Sequence, residues 1–414
     1  VQEAQALLLE SVHSTAVENL RGNGIKVETR PKGLGEAELI DSLGALGSGP
    51  VMVGIRSKTH ITAKVFEAVP NLAAIGAFCI GTDQIDLEQA RQRGVPVFNA
   101  PFSSTRSVAE LVVAEVVMLS RGIFRRSTAA HAGKWAKSAT GSHEVRGKTL
   151  GIIGYGHIGS QVSILAESLG MRVLFHDIDL KLPLGNAHAS ASLDELLTES
   201  DFVTLHVPDT PLTRAMITDN ELGKMKPGSY LLNLSRGKVV DIAALRSRLE
   251  SGHIAGAAVD VFPKEPASTE LEFESELRGL DNVILTPHIG GSTVEAQANI
   301  GREVSDALVR WTKLGSTLGC RTLPQLDVPA PPRWDKKASR IVNVHKNVPG
   351  VLSTINTAVA SSAVNIVGQS LATTEDVGLL FIDVPILPDD PKAAELRNAI
   401  AALETSIRTR LLRL

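Results

Sequence analysis

Two cysteines, Cys79 and Cys320, are the whole thiol complement of 414 residues. That is too few for a disulfide framework or a thiolate metal cluster, so no metal is expected and a reducing, cytoplasmic compartment is. No apolar run reaches the roughly 20 residues of a membrane span, and no basic-then-apolar leader opens the sequence. Its first residue is Val1 rather than Met, which leaves open what precedes it. Neither sign of charge dominates: Lys and Arg number 42, Asp and Glu 45. The net charge of −3 argues against a nucleic-acid partner and a polybasic membrane anchor. Glycine is abundant, at 35 residues, in a composition rich in Ala, Val, Leu and Ile and poor in aromatics. That balance suits an α/β enzyme rather than a disordered chain. At roughly 150 residues each, the length gives two or three domains.

Short apolar runs bounded by turn residues predict strands at Ala6–Leu9, Val51–Ile55, Leu72–Ala77 and Val95–Phe98, a first α/β unit. A long helix follows, from about Ser104 to Phe124, apolar on most sides and so buried in the fold or against a second copy. From Lys148 six more runs alternate with helical segments: Thr149–Ile153, Arg172–Phe175, Phe202–Val207, Tyr230–Asn233, Ala255–Val261 and Val283–Leu285. That alternation predicts a doubly wound parallel sheet. Residues 292–314 read as a helix ending at Gly315, and Pro324, Pro329, Pro331 and Pro332 stiffen a linker over 322–338. The remainder alternates strand, helix, strand, strand, helix, the ferredoxin-like order of a small sensing module.

The segment Gly151-Ile-Ile-Gly154-Tyr-Gly156-His-Ile-Gly159 places G-x-G-x-x-G between a strand and a helix. Gly154 permits the tight turn, Gly156 lets a pyrophosphate approach, and Gly159 lets helix and strand pack closely. Asp177 ends the next strand, 18 residues after Gly159. A carboxylate there accepts from ribose hydroxyls and repels a 2′-phosphate, which favours NAD over NADP. Three further strand ends carry chemistry. Arg236 can clamp a carboxylate and polarise an adjacent carbonyl. His288 is the best proton carrier near neutral pH. Glu265 can accept its other ring proton and raise its pKa. Each taken alone reads more readily as structural; three on successive strand ends beside a dinucleotide motif do not. Arg56 and Lys58 form a basic turn that suits a phosphate or carboxylate, or plain solvation. Cys79 reads as core.

These residues resemble the D-2-hydroxyacid dehydrogenases along nearly the whole chain, from about residue 7 to Leu412. The most specific pieces are Phe78-Cys-Ile-Gly-Thr82, Asn99-Ala-Pro-Phe102, Arg106-Ser-Val-Ala-Glu-Leu111, the glycine motif, Lys181-Leu-Pro-Leu-Gly-Asn186 and Leu285-Thr-Pro-His-Ile-Gly-Gly-Ser292. Within the family the likeness is to members that oxidise D-3-phosphoglycerate to 3-phosphooxypyruvate, the entry to L-serine biosynthesis, and end in an ACT domain. The resemblance implies Arg236, Glu265 and His288 as catalytic residues. It implies NAD contacts at His157, Ile158, His206, Val207, Pro208, Leu234, Ser235, Arg236, Asp260, His288, Ile289, Gly290 and Gly291. Substrate contacts fall to Arg56, Lys58, Ile80 and Gly81, with Lys137 and Trp135 reaching a neighbouring subunit. The tail implies feedback by L-serine held at His345, Asn347 and Asn365, and paired tails imply a homotetramer. The implied division is a substrate-binding lid of flavodoxin-like α/β type (1–103 and 292–332), a Rossmann cofactor domain (104–291), and a linker with the ACT domain (333–414). Asp83, Ser104 and Lys58 stand where the family usually has Asn, Asn and Arg, departures that bear on substrate affinity. Rival readings are a dehydrogenase for another 2-oxo acid such as 2-oxoglutarate, and an NADH-sensing corepressor-like binding protein.

Overall fold

Strands covered on both faces read as unbroken apolar runs, and β3 (Val51–Ile55) and β4 (Leu72–Ala77) are buried at every position. The computed structural model describes residues 4–135, 137–266, 271–329 and 338–414. It divides into two units, one running to Ser103 and resuming at Gln297, the other spanning Ser104–Ala296.

In the first unit, β3 and β4 join β1 (Gln5–Leu8), β2 (Lys26–Thr29) and β5 (Val97–Asn99) in a parallel sheet of order β2-β1-β3-β4-β5. The sequence reading missed β2, an edge strand with mostly exposed side chains.

The second unit is built on β6 (Thr149–Ile153), β7 (Arg172–His176), β8 (Ala187–Ala189), β9 (Phe202–Leu205), β10 (Ser229–Asn233), β11 (Ile254–Val259) and β12 (Val283–Leu285). All pair in parallel in the order β12-β11-β10-β9-β6-β7-β8. Winding reverses between β6 and β9, the switch point at which such sheets bind ligands. Six of these strands match expectation; β8, three residues long, does not register as a periodic run. The expected helix over Ser104–Phe124 is two helices. Thr105–Arg121 stops at Gly122, whose φ of 56° is left-handed, and Ile123–His131 follows as a second helix.

The tail forms β13 (Ser339–Lys346), β14 (Gly368–Thr373), β15 (Val377–Val384) and β16 (Ser406–Arg413), antiparallel in the order β14-β15-β13-β16. With the helices Val351–Ser361 and Pro391–Ala401 this completes βαββαβ, one strand more than expected. Ile341, Leu380 and Ile382 face the two helices. Val342, Val344, Phe381 and Leu412 instead share one core with Leu8, Phe98 and Trp311 of the first unit. The linker's Pro331 and Pro332 lie outside the described residues.

Candidate active site

A helix N-terminus offers free N–H groups and positive dipole to an anion only where no side chain blocks it. Gly154 has φ of 92°, and a Cβ there would meet the His206 carbonyl oxygen at 2.5 Å. A Cβ on Gly159 would meet the Gly154 carbonyl oxygen at 2.2 Å, so both close approaches require glycine. A Cβ on Gly156 meets nothing within 4 Å, which leaves the mouth of the helix His157–Ser168 open. Asp177 is fixed by accepting from the Tyr155 N–H at 2.8 Å and the Asp179 N–H at 2.9 Å. These residues form a cradle that fits a dinucleotide. His206, at the β9 side of the switch point, turns its ring inward. Nε2 pairs with Thr204 Oγ1 at 3.1 Å, Nδ1 is buried with no hydrogen-bond partner among the described residues, and burial pushes the imidazole down to about 3.

The ends of β10, β11 and β12 bring the expected acid–base groups together. Asn233 pins the Arg236 turn, accepting from Ser235 N at 3.1 Å and donating to the Arg236 carbonyl at 3.1 Å. A Cβ on Gly237 would lie 2.0 Å from the Phe262 carbonyl carbon, so the Arg236 and Glu265 loops touch at backbone level. His288 Nδ1 and Glu265 Oε2 are 2.9 Å apart, and the other Glu265 oxygen accepts from Phe262 N at 3.2 Å. The bond to Glu265 raises the His288 pKa, against opposition from burial. Burial pushes the Glu265 carboxyl up, but His288, the Phe262 N–H and Arg236 outweigh it and hold it low. Nε2 is the ring nitrogen not engaged with Glu265. His288 has φ of 56°, uncommon outside glycine.

Asp260 holds that conformation. It is buried and accepts from Thr286 Oγ1 at 2.6 Å, Ile289 N at 2.8 Å and Gly290 N at 2.8 Å. The resemblance implies a cofactor contact for it; its described contacts go to the loop that follows β12 and carries His288. Sequence reasoning also passed over Glu115, on the helix Thr105–Arg121. It is buried, neither carboxyl oxygen has a hydrogen-bond partner among the described residues, and burial together with the Asp260 charge pushes it up to about 8. A charged residue on an otherwise apolar helix face was the available signal.

Val207 and Pro208 follow His206 into the β9 loop, where the Pro208 carbonyl accepts from Thr213 Oγ1. Leu234 and Ser235 are buried, and Ile158 is half-buried. Gly291 lies against Ser104, where a Cβ would come within 3.2 Å of the serine Cβ. Arg56, Lys58, Ile80 and Gly81 belong to the first unit. Arg56 is half-buried, Lys58 is exposed, and the Ile80 carbonyl accepts from Asn99 Nδ2 at 2.6 Å. Trp135 and Lys137 are exposed in the second unit, as is Asp83 in the first. In the tail, His345 is buried with Nδ1 at 3.0 Å from Asn343 Oδ1, and burial lowers its pKa. Asn347 donates to the Thr374 carbonyl at 2.8 Å, and Asn365 is exposed.

Comparison with known proteins agrees with this architecture. Residues 113–290 match the family model for the D-isomer specific 2-hydroxyacid dehydrogenase NAD-binding domain. Residues 341–408 match an ACT domain like that of the AHAS small subunit. D-3-phosphoglycerate dehydrogenase of Escherichia coli K12 is 49% identical over 98% of this chain and 97% of its own. That of Dictyostelium discoideum is 48% identical over 98% and 96%. The structure of Aquifex aeolicus D-lactate dehydrogenase with NAD and lactic acid superposes with a TM-score of 0.65 and 29% identity, covering 74% of this chain and 95% of that one. The chain is therefore an NAD-dependent oxidoreductase with an ACT domain, and it belongs to the D-3-phosphoglycerate dehydrogenases of the D-isomer specific 2-hydroxyacid dehydrogenase family.

Proposed function

We propose that this chain oxidises D-3-phosphoglycerate to 3-phosphooxypyruvate, the first step of L-serine biosynthesis, and catalyses the reverse when given the oxo acid. The observation that carries the reading is the His288–Glu265 pair at 2.9 Å, at a strand end beside Arg236. NAD, when bound, supplies the hydride acceptor. His288 Nε2 takes the C2 hydroxyl proton as the carbonyl forms, and Glu265 stabilises the imidazolium so produced. Arg236 clamps the substrate carboxylate and orients the C2 oxygen. Arg56 and Lys58 hold the distal phosphate, with Ile80 and Gly81 against the substrate backbone. His288→Ala is expected to lower kcat by roughly 10²–10⁴-fold with NADH affinity retained; an unchanged kcat would remove His288 from the chemistry.

The same reading extends to regulation. L-serine is the proposed effector, held between paired ACT domains by His345, Asn347 and Asn365, in a tetramer in which Trp135 and Lys137 serve a neighbouring subunit. The ACT match and the exposed Asn347 and Asn365 support it. The exposure of the two asparagines, against the burial of His345 with Nδ1 on Asn343, supports a first contact through Asn347 and Asn365. Reduction of 2-oxoglutarate is a proposed side activity, since a dicarboxylate offers the same two anionic ends.

A further inference from the structure

The turn that carries Arg56 and Lys58 is fixed from beneath by a residue the reaction does not otherwise use. Glu10 follows β1 and is 7% exposed. Its Oε2 accepts from the N–H groups of Ser57 and Lys58, each at 3.0 Å, and its Oε1 accepts from the Thr59 N–H at 2.8 Å. Three consecutive amides thus converge on one buried carboxylate. Such convergent amides form an anion-binding concavity; here the chain fills it with its own side chain. The preceding residue is held too: the Arg56 carbonyl accepts from Gln84 Nε2, and from Cys79 Sγ at 3.5 Å. Thr59 Oγ1 accepts from Leu34 N at 3.2 Å. Glu10 and Ser11 have φ of 60° and 52°, a conformation non-glycine residues adopt only where surrounding contacts enforce it.

A carboxylate near two cations can neutralise them or can be spent on the backbone. Glu10 is spent on the backbone. Among the described residues, neither the Arg56 nor the Lys58 side chain has an ion-pair or hydrogen-bond partner. Its charge sits in three charge-assisted hydrogen bonds to amides, which leaves both cations available.

We propose that Glu10 is a positioning residue for phosphate recognition, fixing the Ser57–Thr59 backbone so that Arg56 and Lys58 stand as a preset, unpaired cation pair for the substrate's distal dianion. This rests on the assignment of the phosphate to those two residues. Preset cations bind without the entropy of ordering a turn, so the benefit falls on phosphorylated substrates and not on hydride transfer itself.

The test compares 3-phosphooxypyruvate with hydroxypyruvate, which lacks the phosphate, in NADH oxidation by the full chain. Glu10→Gln turns an N–H donor toward amides that need an acceptor. It is expected to lower kcat/KM for the phosphorylated substrate about tenfold more than for hydroxypyruvate, through KM rather than kcat. Equal losses on both substrates, with a lowered Tm, would make Glu10 merely structural and overturn the proposal. The double variant Arg56→Ala/Lys58→Ala separates the two layers. If it keeps the preference for the phosphorylated substrate, the phosphate assignment fails. If it loses that preference while Glu10→Gln keeps it, the positioning role fails. Should Glu10→Gln not fold, amide hydrogen exchange on the unmodified, substrate-free enzyme decides: protected Ser57–Thr59 amides are expected, and loop-like exchange would overturn the proposal.

Discussion

Charged side chains placed where their surroundings oppose the charge mark the residue scale of this protein. Glu115 is the clearest case. Its carboxyl has an ordinary value of 4.5 and is pushed up to about 8 in the fold. Between those values the folded chain keeps a proton the unfolded chain has lost, so this group's contribution makes stability fall as pH rises. The slope is at most about 1.4 kcal/mol per pH unit. Glu115→Gln removes it. Urea unfolding at pH 5 and pH 8 is expected to show the variant gaining on the parent at the higher pH; an equal difference at both would contradict the burial argument. Arg236, Glu265 and His288, the residues proposed as catalytic, stand out in the sequence because each follows a strand of a cofactor sheet. The grip of Asp260 on a second loop and the burial of Glu115 do not, because they depend on residues distant in sequence. Asp260 grips a loop 26 to 30 residues further on.

At the scale of elements, glycine decides how closely loops approach. Gly237 is the junction at which the Arg236 loop meets the Glu265 loop, and the atoms a Cβ would strike are backbone. Backbone cannot rotate aside, so Gly237→Ala must separate the two loops. A displacement of about 1 Å between reacting groups costs on the order of 10²-fold in rate. Gly237→Ala is expected to lose about that much kcat/KM, whereas Gly44→Ala, where a Cβ meets nothing, should lose none. Comparable activity in the two variants would contradict the reading. Long apolar runs made β3, β4 and β6 legible to the residue. β2 and β8 escaped because short, solvent-facing strands carry little hydrophobic signal. β16 escaped because its arginines interrupt the pattern, yet Arg408 and Arg410 bury their heads on the Leu72 and Trp311 carbonyls. The break at Gly122 required a backbone angle that composition does not report.

At the scale of the whole chain, the ACT sheet is part of a shared core. Arg340, fully buried, pairs with Asp383 and donates to the Leu314, Val328 and Pro329 carbonyls, tying β13 and β15 to the preceding helix and linker. Removing the tail would expose the apolar partners of Val342, Phe381 and Leu412, so truncation tests stability before it tests regulation. Asn347→Ala and Asn365→Ala are the cleaner probes. Each is expected to raise the serine concentration needed for half-inhibition at least tenfold, and an unchanged response in both would remove the asparagines from the effector site.

NADH oxidation with 3-phosphooxypyruvate, hydroxypyruvate and 2-oxoglutarate side by side, each with and without L-serine, separates the candidate substrates and reads the regulation together. The highest kcat/KM is expected for 3-phosphooxypyruvate, with inhibition of that turnover by serine. A higher kcat/KM for either non-phosphorylated acid would keep the dehydrogenase and contradict the substrate, and Lys58, Asp83 and Ser104 would then be the residues that set the difference.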